Sequence, residues 1–296
     1  KDDAKKGLIW FDTEEEALDL IGTLPKEAKV LKFDSTRSET YAPKLFKLAT
    51  AQIAAGKLGY NSAKTLEIIQ SLYEKGYITY PRTDCEYMSS SENFIAMLKS
   101  AICVPELEPY IKTVSKSVIA KVRATKKWIN DAKLKEHGHS ALAPTSKKPD
   151  FSSLSKEEQD IYRLIARQFV AIFLPPLIQN KTLLVADIDG HQFKSTGKTL
   201  IDPGYTTIFG TKFTDTVIPD HKIGDTLDVI EFEPVENTSK CPKRFTDADL
   251  IAVCEAPHKF LADKSLKAMG SRLKIGTPAT RSSIIKELID KDKYLT

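Results

Sequence analysis

Tyr80 and Arg82 stand two residues apart at the end of a short β-branched and aromatic run made of Tyr77, Ile78, Thr79 and Tyr80, which stops at Pro81. In an extended segment, side chains two apart share a face, so the phenol and the guanidinium point the same way. A phenol, which ionises near pH ~10, is a slow nucleophile toward phosphorus unless a cation stabilises the phenolate or the crowded phosphate that forms. A guanidinium suits both tasks: it is always charged and grips two phosphate oxygens at once. The same spacing also suits an ordinary core tyrosine followed by a solvated arginine.

Three further groups of residues carry possible chemistry. His137 and His139 form an H-x-H string with no third ligand nearby, so metal binding is not expected there. Gly276, Thr277, Pro278, Ala279, Thr280 and Arg281 read as the start of a helix, where exposed N–H groups and threonine hydroxyls suit either capping or a phosphate. Between 112 and 135 there are eight basic residues against one acid, Asp131, with Trp128 inside the run. That run fits a backbone-tracking groove with a stacking aromatic or a solvated helix face equally well. Two Asp-x-Asp strings, at Asp187/Asp189 and Asp247/Asp249, have simpler roles, the first at a hairpin turn and the second in the first turn of a helix.

The elements that must position these residues follow from periodicity. Thr13 and Glu16 make a capping box for a first helix, and Val30, Leu31 and Phe33 predict a short strand. Residues 41–174 read as mainly helical. Asn61 or Ser62 caps the helix before the tyrosine, and Gly76 stops it. Ser155 and Glu158 open a late helix that Pro175 and Pro176 close. The period then shortens: 182–188, 191–196, 205–209 and 226–233 read as strands, with Asp189-Gly190 as a hairpin turn. Helices return at Thr246 and at Thr280 or Arg281.

Composition excludes several classes. With 41% hydrophobic and 28% charged residues the chain is of ordinary globular type, not a disordered tail. Lys+Arg minus Asp+Glu is 44 − 40 = +4, too small to prove a nucleic-acid partner by itself. The longest apolar stretch, 169–178, contains two prolines and is about half a bilayer span, so no membrane crossing is expected. Four scattered cysteines without a C-x-x-C pair argue against structural zinc or a disulfide scaffold and fit a reducing cytoplasm. The chain starts at Lys1 without a signal peptide, as in a piece cut from something longer.

The whole segment 65–84, TLEIIQSLYEKGYITYPRTD, resembles the active-site motif of the type IA DNA topoisomerases, in their topoisomerase III-like branch. Gln70, Leu72, Tyr73, Glu74, Gly76, Ile78, Thr79, Tyr80, Pro81, Arg82, Thr83 and Asp84 match the pattern, and Cys85 stands where the family has Ser, which puts a thiol near the site. Residues 138–145, GHSALAPT, resemble the H-x-A-I-x-P-T string, which gives His139 the role of the histidine near the cleaved phosphate. The 276–281 segment resembles the G-x-P-[SA]-T helix start, with Arg244-Phe245-Thr246 matching another family string upstream.

The resemblance implies a mixed α and β multidomain fold: 1–40 plus 175–236 as a β-rich arch or hinge, 41–174 as a helical domain inserted into it, and 237–296 as part of a helical DNA-binding domain. It implies an ATP-independent isomerase in which Tyr80 forms a 5′-phosphotyrosyl bond with single-stranded DNA so that another strand passes. Arg82 and His139 are the expected catalytic partners. Gln70, Asp84, Thr280 and Arg281 are the expected DNA contacts, and Glu74 a support behind them. The family's Mg²⁺ belongs to a toprim domain, which this chain is expected to lack. The fragment is then expected to hold no metal, to bind single-stranded DNA weakly and to be inactive for relaxation alone. Its expected partners are DNA and the toprim part of its parent, with no membrane, in a monomeric, cytoplasmic bacterial protein. Two rivals remain: a non-catalytic single-stranded DNA-binding module of the same fold, and a tyrosine recombinase, which would join to the 3′ side and needs an Arg/His/Arg set not evident here.

Overall fold

The structure, a computed structural model, describes residues 11–261, 263–270 and 273–290. Residues 1–10 and 291–296 of the expected outer segments therefore lie outside the described residues. The chain forms two compact units, the first built from residues up to Thr40, Leu177–Pro203 and Lys212–Lys243, the second from Tyr41–Pro176, Gly204–Thr211 and residues from Arg244 onward.

The first unit is a four-stranded antiparallel sheet with one helix. Helix α1 (Glu14–Thr23) is capped by Thr13, whose hydroxyl accepts from the Glu16 amide at 3.3 Å, and its first turn carries three glutamates that favour the positive end of the helix dipole. Strand β1 (Glu27–Thr40) pairs with β2 (Leu177–Ile188), which turns at Asp189-Gly190 into β3 (His191–Asp202), and β4 (Thr226–Asp228) completes the order β3-β2-β1-β4. The sheet's apolar cluster is small: Leu24, Ala28, Ala186 and Ile188 are its buried members, and Val30, Leu177 and Val185 are buried elsewhere on β1 and β2. From Leu31 onward β1 has no buried residue, which is why its apolar pattern predicts a strand of only four residues where the ladder with β2 extends to Thr40. The expected strand at 205–209 is instead a 3-10 segment, Gly204–Phe209, and of 226–233 only β4 is strand. Gly204 holds φ +48, and a Cβ there would meet the Pro176 carbonyl oxygen at 2.2 Å, so no other residue fits this turn.

The second unit is helical. In chain order its helices are α2 (Leu48–Gly56), α3 (Ser62–Glu74), α4 (Phe94–Ala101), α5 (Glu108–Lys112), α6 (Lys116–Thr125), α7 (Asp131–Lys135), α8 (Lys156–Ala171), α9 (Asp247–Glu255), α10 (Lys264–Met269) and α11 (Arg281–Asp290). Their core gathers Ile69 and Leu72 of α3, Phe94 of α4, and Ile161, Ile165 and Phe169 of α8, all 1% exposed or less. Each such side chain contributes roughly 2 kcal/mol on burial. The 237–296 segment, expected as a separate domain, does not divide there: residues from Arg244 join the helical insert, with α9 packed on α2 and α11 on α3 and α9.

Candidate active site

The tyrosine junction begins where α3 ends. Gly76, at φ +76, lets the chain reverse, and the Tyr77 amide reaches back to the Leu72 carbonyl at 2.9 Å. The position of that helix end is fixed from α8. Glu158, the third residue of the α8 capping box opened by Ser155, also accepts from Ser71 Oγ at 2.7 Å and pairs with Lys75 Nζ at 2.6 Å. Burial alone would raise the Glu158 carboxyl, but Lys75 and Ser71 outweigh it and hold it below the usual range.

Residues 77–80 are not a strand but a single bridge, Ile78 to Pro144. Thr79 does the pinning. Its amide donates to the Ala143 carbonyl at 3.0 Å, its hydroxyl donates to the Ala141 carbonyl at 2.7 Å, and that hydroxyl accepts from the Ala143 amide at 3.0 Å. Ile78 points into the core, 1% exposed, while Tyr80 beyond it is half-buried. His139 lies two residues before this pinned segment, and its imidazole lies against the Tyr80 ring, centroids 4.2 Å apart and 31° between planes. Tyr73, in the last turn of α3, meets Tyr80 edge-on at 5.6 Å. The Tyr80 hydroxyl has no hydrogen-bond partner among the described residues. Arg82 is exposed, with no ion pair or hydrogen bond among the described residues. An exposed guanidinium without such a partner can take an anionic group from outside.

Asp84 lies two residues further on. Its Oδ1 accepts from His137 Nδ1 at 2.8 Å and its Oδ2 faces Lys274 Nζ at 3.5 Å. Burial works against its charge, yet the His137 bond and the Lys274 charge prevail and lower its pKa. His137 and His139 thus serve different partners although one residue separates them. Gly138, at φ +77, supplies the reversal between them. The sequence drew attention to His137 only as half of an H-x-H string; the structure assigns it to Asp84.

A second cluster surrounds Glu255, the last residue of α9. Lys47, just before α2, and Arg281, at the start of α11, both pair closely with it, and Lys274 lies at 4.0 Å. Burial would raise this carboxyl, and Lys47 and Arg281 together bring it below its ordinary range. Lys47, Glu255 and Lys274 carried no local signal in the sequence.

The other expected site residues divide. Gln70 is half-buried and donates to Glu74 at 2.8 Å along the α3 surface. Thr280 is exposed at the entry to α11, its hydroxyl accepting from the Thr277 amide at 3.1 Å. Arg281, expected beside it as a DNA contact, is 3% exposed, and its guanidinium serves the Ile275 carbonyl at 2.7 Å, the Gly276 carbonyl at 3.1 Å and Glu255. It braces the helix entry from within. Trp128 is 4% exposed and donates to the Pro43 carbonyl, so it is a core pin and not a stacking platform. Cys85 is buried, not presented to a ligand, and burial pushes its thiol up.

The described residues do not fit a metal. Among them no three of His, Cys, Asp and Glu come together, and Asp84 and Glu255 are committed to cations. Asp187 caps the hairpin turn through the Gly190 amide, Asp247 accepts from the Ser62 amide and hydroxyl, and Asp249 completes the capping box with Thr246. No described helix is long and apolar enough to cross a membrane.

The site is thus a half-buried tyrosine against a histidine from a distant segment, with an exposed arginine two residues on. The whole chain, residues 1–296, matches the family described as DNA topoisomerase, and the chain belongs to the type IA DNA topoisomerases. Among its relatives, DNA topoisomerase 3 of Bacillus licheniformis is 31% identical over 291 residues, covering 92% of this chain and 40% of the relative. DNA topoisomerase 3 of Bacillus subtilis is 32% identical over 278 residues, covering 90% of this chain and 38% of the relative. The chain thus spans about two fifths of the length of these relatives. Its fold is similar to that of full-length topoisomerase I from Thermotoga maritima, with a TM-score of 0.59 at 23% identity, over 95% of this chain and 43% of that one.

Proposed function

We propose that this chain supplies the tyrosine arm of a type IA topoisomerase acting on single-stranded DNA. The Tyr80 oxygen attacks a backbone phosphorus, the bond from phosphorus to the 3′ oxygen breaks, and a 5′-phosphotyrosyl ester forms. The phenolic proton leaves to water and the departing 3′ oxygen takes one up, so the strand ends in a free 3′-hydroxyl. One ester replaces another, which lets resealing proceed without a nucleotide. Arg82 stabilises the charge on the phosphate oxygens. His139 holds the phenol ring by stacking and sets an imidazole beside the phosphate. The observation that carries this reading is the contact of Tyr80 with His139, two residues before an exposed arginine with no ion pair or hydrogen bond among the described residues.

Since the described residues do not fit a metal, we place the Mg²⁺ of this chemistry on a toprim domain outside this chain. Alone, the chain binds single-stranded DNA weakly and does not relax supercoils. Its relatives are bacterial, which supports a DNA-associated, cytoplasmic role, as a monomer. The test combines the chain with a separately made toprim domain, Mg²⁺ and an end-labelled oligonucleotide, followed by denaturation. A 3′-end label is expected to stay with the protein and a 5′-end label is not. An adduct of the opposite polarity, or one that survives Tyr80→Phe, would overturn the assignment.

A further inference from the structure

Beyond the tyrosine junction, charged side chains gather around Glu255 and Asp84. Three cations, Lys47, Lys274 and Arg281, face these two carboxylates, an excess of one positive charge (3 − 2 = +1) before any proton on His137. The cations differ in access. Arg281 keeps 2% of its side chain exposed and Lys47 15%, whereas Lys274 keeps 38%. They differ in commitment as well. Arg281 and Lys47 pair closely with Glu255, but Lys274 is held loosely, 3.5 Å from Asp84 and 4.0 Å from Glu255. Each carboxylate already has a nearer partner, His137 at 2.8 Å on Asp84 and the two close cations on Glu255. The surplus charge therefore resides on the cation of the three that is most open to solvent.

Its surroundings point to a polyanion. Asp84 follows Arg82 by two residues, and Lys274 opens the turn that leads to the exposed Thr277 and Thr280 hydroxyls. An exposed ion pair at these distances is weak and screened by salt, so a phosphate displaces it at small cost. The lowered pKa values of Asp84 and Glu255 keep both carboxylates charged, which holds the ammonium in place when no phosphate is there.

We infer that Lys274 is a phosphate-binding residue for the single-stranded polynucleotide, held beside the tyrosine loop by Asp84 and Glu255 and released to a backbone phosphate on binding. The inference rests on the DNA-binding reading above. Its test is the salt dependence of binding of a fluorescent oligothymidylate to the chain, read by anisotropy. Lys274→Met is expected to weaken binding and to lower the slope of log K against log salt by about 0.7, the value for one phosphate contact on a single strand. Lys274→Gln is expected to match it, and Lys274→Arg to restore the slope. Lys57→Met, exposed just after α2, is expected to change nothing. An unchanged slope in Lys274→Met, even with weaker binding, would show a merely structural ion pair and overturn the inference while leaving the DNA-binding reading intact. A wild-type chain without salt-dependent binding would overturn both.

Discussion

The tyrosine junction and the Glu255 cluster lie in the same helical unit, and they are held by opposite means. Around Tyr80 the forces are short-range and uncharged: Ile78 is packed in the core, Thr79 bonds to the backbone of Ala141 and Ala143, and three aromatic rings lie in contact. Around Glu255 the side-chain bonds are ionic, and Lys47 and Glu255 meet across 208 residues of sequence. Packing fixes a ring closely and is indifferent to salt, which suits the proposed attack of Tyr80 on one phosphorus atom. Ion pairs that exchange partners suit a surface that receives and releases a strand.

Substitutions separate the two. The largest effect is expected from Tyr80→Phe, which keeps the packing and abolishes the covalent adduct with DNA in the reconstituted assay, leaving thermal stability unchanged. Glu255→Ala leaves Lys47 and the buried Arg281 without their carboxylate and is expected to cost about 3–5 kcal/mol in urea unfolding, the usual loss when one partner of a buried pair is removed. Ile78→Ala, a cavity beneath the junction, is expected to cost about 2–4 kcal/mol. Thr79→Val removes a hydroxyl with two backbone partners and is expected to cost about 1–3 kcal/mol.

The pH dependence sharpens the contrast. Glu255 and Asp84 are held below their ordinary values, so their contribution is complete above the unfolded carboxylate range of about 4–4.5 and fades as pH falls through the lowered folded values. Asp84 is more exposed, and solvent screening reduces its share. The unfolding cost of Glu255→Ala is therefore expected to shrink between pH 7 and pH ~3, while that of Ile78→Ala stays constant. Equal shrinkage in both variants would remove the distinction.

Much of the framework was legible in the sequence because its signals are local. The Thr13, Asn61 and Ser155 caps act on amides three residues away, and the Asp189-Gly190 turn closes its own hairpin. Strand β1 was underestimated because a ribbon exposed on both faces leaves no alternation to read; its length is set by the facing strand. The run 77–80 has strand-like residues, yet finds only one bridging partner in 141–145.

For the site, the residue string by itself singled out Tyr80 and Arg82 as the proposed reactive pair, because a motif of short spacing survives in one dimension, and named His139, whose ring lies against Tyr80. Tertiary structure alone decided that His137 serves Asp84, that Arg281 and Trp128 turn inward, and that Lys47, Lys274 and Glu255 meet. The physical reason is range: caps and turns are bonds between near neighbours, whereas ion pairs and burial depend on which distant surfaces the core brings together.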